Sequence, residues 1–166
     1  IACGRKKMRL FALVVVTSLF AVGLARADSL TDREGWQVLP TTKSYPALVD
    51  DLKSAIEGEG MLLVTQASAS DGAKGRGITI PGNRIIGVYR NDYAVRMLEA
   101  SVAAGIEAPI RFYVAENTDG TATLSWKTPG FVFAPYMDEG GPALQELARE
   151  LDQVFTSIAD KAVAAQ

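Results

Sequence analysis

Histidine is absent from all 166 residues, and cysteine occurs once, at Cys3. Without imidazole or thiolate chemistry there is no histidine base, no cysteine nucleophile and none of the nitrogen or sulfur ligands zinc prefers. Met8 reads as the start, with residues 1–7 upstream of it, so the mature chain is expected to carry no cysteine at all. An exported domain without disulfides has to rest on its core.

Positive charge is also scarce. The chain has 17 basic and 19 acidic residues. Five of the basic ones (Arg5, Lys6, Lys7, Arg9 and Arg26) lie before residue 28, where no acid occurs. Without them 12 basic residues face 19 acidic ones, a net charge of about −7. That balance excludes a protein that tracks a nucleic-acid backbone, which needs a basic face.

No apolar run reaches the ~20 residues that span a bilayer. The longest, residues 10–24, follows a basic stretch and ends at Ala25-Arg26-Ala27. Basic, apolar and small-x-small segments in that order predict a secretory signal cleaved before Asp28. The expected organisation is residues 1–27 as extension and signal, and residues 28–166 as one periplasmic or secreted domain. No stable membrane insertion is expected after cleavage.

What remains reads as alternating elements. Trp36, Val38 and Pro40 mark a first strand over 36–41, with Pro40 favouring an edge or a bend. Ser44 and Pro46 suit a helix start, and Leu48, Val49, Leu52, Ala55 and Ile56 form one apolar face over 45–57. Gly58 and Gly60 close it. Residues 61–65 read as a buried strand. Residues 66–77 read as a flexible loop, because Gly72, Gly75 and Gly77 fit no phosphate-loop spacing. Residues 78–80 lead as a strand through Pro81-Gly82-Asn83 into a second strand, 84–89.

Asp92 is placed to cap a helix over 92–104. Its packed face is predicted at Ala94, Val95, Leu98, Ser101 and Val102, with Gly105 ending it and Arg96 and Glu99 paired outside. Alternation over 110–114 and 121–126, joined by Asn117-Thr118-Asp119-Gly120, predicts an antiparallel hairpin. Residues 131–136 read as a loop across the sheet edge. Gly140-Gly141 is a hinge, and Pro142 opens a last helix. Its stripe of Leu144, Leu147, Ala148, Leu151, Val154, Phe155 and Ile158 closes the core. The fold class is α+β: two layers, a mixed, largely antiparallel sheet with helices packed on it.

Several of these pieces resemble the domain of unknown function, family 302. The likeness covers about residues 36–136. It rests on the helix at 48–59, Gly60 and the strand after it, and the loop Asp71-Gly72-Ala73-Lys74-Gly75-Arg76-Gly77. It continues through the strand ending at Tyr89 with Asn91 beyond, and through Gly105-Ile106-Glu107-Ala108-Pro109-Ile110-Arg111. The Gly-tipped hairpin and Pro129 complete it. The resemblance implies a compact α+β fold that often pairs into dimers, so a homodimer is an expectation. It implies no established activity. This chain reads Tyr89-Arg90-Asn91-Asp92 where many members read Phe-Gly-Asn-Pro. It has Ser68 and Ala69 where some members carry an Asp-His pair, which removes a ligand set for metal or haem.

The candidate chemistry is correspondingly sparse. The pairs Asp50/Asp51, Glu57/Glu59 and Asp138/Glu139 fall on exposed faces or loops, not in a cleft that would separate their pKa values. Met61, Met97 and Met137 read as core filler in preference to copper ligands. No serine has a histidine to activate it. One cluster stands out: Arg111, Tyr113, Ser125 and Lys127 alternate away from the core face of the hairpin, near Arg90 and Asn91. Asn91, Arg111, Tyr113 and Lys127 are therefore the expected ligand-binding residues, suited to a small anion. No cofactor is expected. The first expectation is a non-catalytic, exported binding or interaction domain for a small anion or a protein partner. The alternatives are a hydrolase using carboxylates and lysine, and a metal- or haem-associated protein.

Overall fold

A computed structural model describes residues 30–164. The predicted signal segment, Cys3 and Met8 lie outside the described residues. Among the described residues no helix is long and apolar enough to cross a membrane.

The five strands are β1 (Trp36–Ser44), β2 (Leu62–Ala67), β3 (Asn83–Tyr89), β4 (Ile110–Glu116) and β5 (Thr121–Lys127). They form one sheet in the order β1-β5-β4-β3-β2, antiparallel at every pairing. The helices are α1 (Tyr45–Gly58), α2 (Ala69–Lys74), α3 (Asn91–Ala100), α4 (Pro129–Phe133) and α5 (Met137–Val163). Short 3-10 turns occupy Ala103–Glu107 and Ala134–Tyr136.

The core lies between one face of the sheet and the helices. Alternation turns Ile86, Val88, Phe112, Val114, Leu124 and Trp126 toward it. Helix α1 contributes Leu48, Leu52 and Ile56, and α5 contributes Leu144, Leu147, Phe155 and Ile158. Phe112 stacks on Phe155 with ring centroids 4.5 Å apart and meets Trp126 at 5.6 Å. Each such side chain supplies roughly 1.5–3 kcal/mol by leaving water. Lys43 ties the layers together at one end: its Nζ donates to Asp51 Oδ2 at 2.5 Å and to the carbonyl of Ala162 at 2.9 Å, satisfying an orphan acceptor in the last turn of α5.

The elements that differ from expectation do so for identifiable reasons. Residues 61–65 are not a buried strand. The strand β2 is the sheet edge, Leu62 is 59% and Val64 47% exposed, and only Met61 just before it is buried. Residues 78–80 form no strand. The 66–77 segment contains helix α2, because the Ser68 hydroxyl accepts from Asp71 N–H at 3.0 Å and caps its first turn. Ser44 occupies the N-cap position of α1 but makes no side-chain bond there.

Helix α3 stops at Ala100, not 104. Ser101 is extended, and its buried hydroxyl accepts from Ala104 N–H at 3.2 Å, starting a 3-10 turn instead. The expected packed face therefore holds only in part: Ser101 is buried and Ala94 partly so, but Met97 is buried in place of Val95, Leu98 and Val102, which are exposed. Arg96 pairs across to Glu150 on α5, with two bonds of 2.7 Å, and not with Glu99. Residues 131–136 are helical rather than a loop, and Phe133 is buried. The hinge at 140–141 is present. Gly141 takes φ 55°, ψ −150°, a backbone state that L side chains avoid, and the long straight part of α5 begins at Pro142.

Candidate functional site

All helices of the core layer lie on one side, so the other face of the sheet carries none of them. Residue parity decides what stands on it. Ile85 pairs with Tyr113, Tyr113 with Ser125, and Trp36 with Lys127. These side chains share the outer face, because partners in register point the same way. Phe112 pairs with Trp126 on the core face. The next residues out, Arg111 and Lys127, thus oppose each other on the outer face. Like charges directly opposed across two strands are unfavourable.

This face forms a groove of about 650 Å³, a volume in the range of small-molecule sites. Trp36, Ile85, Glu107, Arg111, Tyr113 and Lys127 line it. Trp36 and Tyr113 are half-buried, Ile85 is 41% exposed, and both cations are exposed. Trp36 is held at the start of β1 by the turn before it. Gly35 has φ 72°, its carbonyl accepts from Thr128 N–H at 2.9 Å, and the Phe131 ring occupies the space a side chain would need there.

The charges of the groove are unbalanced. Lys127 Nζ lies 5.9 Å and Arg33 Cζ 5.6 Å from the centroid of the Trp36 ring. The ion pairs among the described residues engage Lys43, Lys53, Arg84, Arg90, Arg96, Arg149 and Lys161. None takes in Arg33, Arg111 or Lys127. The remaining described cations, Lys74 and Arg76, sit at the end of α2 and after it. The one carboxylate lining the groove, Glu107, already accepts from the Tyr136 hydroxyl at 2.8 Å. That bond, with some burial and the nearby negative charge, holds the Tyr136 proton and raises its pKa above the ordinary tyrosine value.

The structure brings Arg111, Tyr113 and Lys127 together as expected. Asn91 is not with them. It is the first residue of α3, donates to the Tyr89 hydroxyl at 3.3 Å, and is outside the groove lining. Arg90 is engaged elsewhere: Asp92 accepts from its Nε at 2.7 Å and its Nη2 at 3.0 Å, and its guanidinium lies 3.8 Å from the Tyr93 ring centroid. The bonds from Arg90 hold the Asp92 carboxyl below the usual aspartate value. Ser125 is on the outer face but fully buried between its strand neighbours, and its hydroxyl points to the Tyr113 carbonyl at 3.5 Å. It is closed to a ligand.

Trp36, Arg33 and Ile85 were absent from the expected site. Trp36 had a face in its own strand, but no local signal says that β1 lies beside β5. Met61 and Met97 do converge, on a second, apolar cavity of about 40 Å³ that Tyr93, Phe133, Leu151 and Phe155 also line. That is room for one to a few waters among carbon atoms, consistent with their filler role. Among the described residues no three Asp, Glu, His or Cys side chains cluster as a metal site would require. In two of the carboxylate pairs one member is engaged with a cation: Asp51 accepts from Lys43, and Glu59 accepts from Ser157 and Lys161, each at 2.5 Å. Those last two bonds hold the Glu59 carboxyl below its usual value.

Residues 37–162 match the family model described as Domain of unknown function DUF302. Arg33 and Trp36 precede the matched stretch. No curated protein matches the chain. Among solved structures it is similar to the crystal structure of uncharacterized conserved protein DUF302 from Bacillus stearothermophilus, with a TM-score of 0.68 and 18% identity. The match covers 78% of this chain and 99% of that one. At that identity the likeness is one of fold.

Proposed function

Because this chain belongs to the family of Domain of unknown function DUF302, whose name carries no activity, we propose a function from its own geometry: it is a non-catalytic binding domain whose sheet groove takes a small organic anion. Arg111 and Lys127 hold the charge, and Trp36, Tyr113 and Ile85 carry the apolar body. The observation that supports this is the opposition of two cations across β4 and β5, neither of which forms an ion pair. A fold that pairs most of its other cations keeps these two unpaired at some cost, and an anion in the groove removes that cost. The basic-then-apolar stretch before Asp28 supports export to the periplasm or medium.

Benzoate is a suitable probe, with one carboxylate and a flat apolar body. Titrating it into the 15N-labelled protein is expected to shift the backbone amides of Trp36, Ile85, Arg111, Tyr113 and Lys127. Shifts confined to the surroundings of Met61, Tyr93 and Met97, or none at millimolar benzoate, would sink the groove as a binding site.

A further inference from the structure

We infer that the groove is built for an anion of two negative charges on an aromatic body, of the class of aryl phosphates and aromatic dicarboxylates. The inference rests on the groove reading above and adds Arg33 and Trp36 to it. Three of the described cations lack an ion pair near this groove: Arg111 and Lys127 line it, and Arg33, which is outside its lining, lies 5.6 Å from the Trp36 ring that Lys127 also approaches. Arg33 comes from the turn before β1, Lys127 from the end of β5 and Arg111 from the start of β4. Asp32 and Glu34 flank Arg33 in sequence, yet both are exposed and neither pairs with it.

The Trp36 ring is what holds two of these cations together. Its negative face attracts both the Arg33 guanidinium and the Lys127 ammonium, and so offsets part of their mutual repulsion. It cannot neutralise them. With Glu107 counted against them, the three cations leave two positive charges: a monoanion offsets one, whereas a dianion offsets both, one charge meeting Arg111 and Lys127 and the other Arg33 at the Trp36 edge. Guanidinium groups bind phosphate and carboxylate through parallel bonds, which suits both members of the class. Next to these cations the groove continues over Tyr113 and Ile85, a flat and largely apolar floor. A planar ring attached to the charged group fits that floor by stacking, at little entropic cost.

The test is calorimetric titration of the full chain at pH 8 with phenyl phosphate, phthalate, benzoate and inorganic phosphate. Phenyl phosphate is expected to bind about tenfold more tightly than benzoate or inorganic phosphate. The advantage over benzoate should vanish at pH 5, where a phosphate monoester with a second pKa of about 6 carries a single charge. Phthalate binding as tightly as phenyl phosphate supports recognition of charge number, and weaker phthalate binding supports recognition of the phosphate itself. Arg33→Ala, an exposed turn substitution that should leave folding intact, is expected to weaken phenyl phosphate about tenfold and to leave benzoate within about twofold. Trp36→Leu is expected to weaken all three aromatic probes and spare inorganic phosphate. Equal binding of benzoate and phenyl phosphate, unmoved by Arg33→Ala, overturns this inference and leaves the groove reading standing. Inorganic phosphate binding as tightly as phenyl phosphate overturns the aromatic body. No binding by any of the four overturns both readings.

Discussion

Asp152 shows how a single carboxyl can be fixed by structure and yet be at odds with its charge. It sits on α5 and accepts from Gly130 N–H at 3.0 Å, which ties α4 to α5. Partial burial raises its pKa above the ordinary aspartate value, and the Gly130 bond only partly opposes that shift. An acid whose folded pKa is raised contributes stability that is complete below its unfolded pKa. That contribution is lost as pH rises through the folded value. Asp152→Asn keeps an acceptor for Gly130 and removes the charge. The melting temperature of the variant relative to wild type is therefore expected to rise between pH 3 and pH 7, and a pH-independent difference would contradict the account. Glu59, Asp92, Asp119 and Glu150 have the opposite sign. Hydrogen bonds from Lys161, Arg90, Thr121 and Arg96 lower their pKa values. Their stabilisation is present above the unfolded carboxyl values and fades as pH falls through the lowered ones. Acid unfolding is their expected signature. Asp92 and Asp119 are exposed and Glu59 and Glu150 only partly covered, so solvent screens each pair and each contribution is small.

At the scale of elements, local periodicity made α1, the β4–β5 hairpin and α5 legible. In each, the pattern that names the element also names its buried face. The failures came where a local pattern had a non-local answer. Residues 61–65 are apolar enough for a central strand, but β2 received only one neighbour, so half of that apolar surface faces water. In α3 the misreading turned on Ser101, which continues the apolar stripe on paper but bonds to Ala104 N–H and ends the helix. Ser101→Ala is expected to cost about 1–3 kcal/mol, because it strands a buried donor. Val102→Ser and Ile106→Ser are expected to stay within about 0.5 kcal/mol, since these side chains are 76% and 79% exposed. Phe155→Ala, which removes the ring stacked on Phe112, is expected to cost about 3–5 kcal/mol. Urea unfolding midpoints measure all four. A large loss at Val102 or Ile106 would mean that the stripe is covered in solution.

At the scale of the whole molecule, the proposed groove lies on the open face of the sheet, and the helices pack the opposite face into the core. Arg111, Tyr113 and Lys127 were legible as a group because the hairpin that joins them is local and its alternation is plain. Asn91 was drawn in by proximity in sequence to Tyr89, but the chain turns into α3 there and leaves the groove. Trp36 and Arg33 became visible only when β1 took its place beside β5, more than 80 residues away in the chain. In a chain with net negative charge, the unpaired Arg111 and Lys127 in the groove, with Arg33 against the Trp36 ring beside them, form a local exception.

The most direct test of that exception compares wild type with the double variant Arg111→Ala, Lys127→Ala by calorimetric titration with benzoate and by thermal unfolding. Losing two charge-assisted contacts is expected to weaken benzoate at least tenfold. Removing two opposed like charges is expected to leave the melting temperature unchanged or slightly higher. Unchanged benzoate affinity, or a melting temperature that falls by several degrees, would contradict the account: the two cations would then be serving the fold and not a ligand.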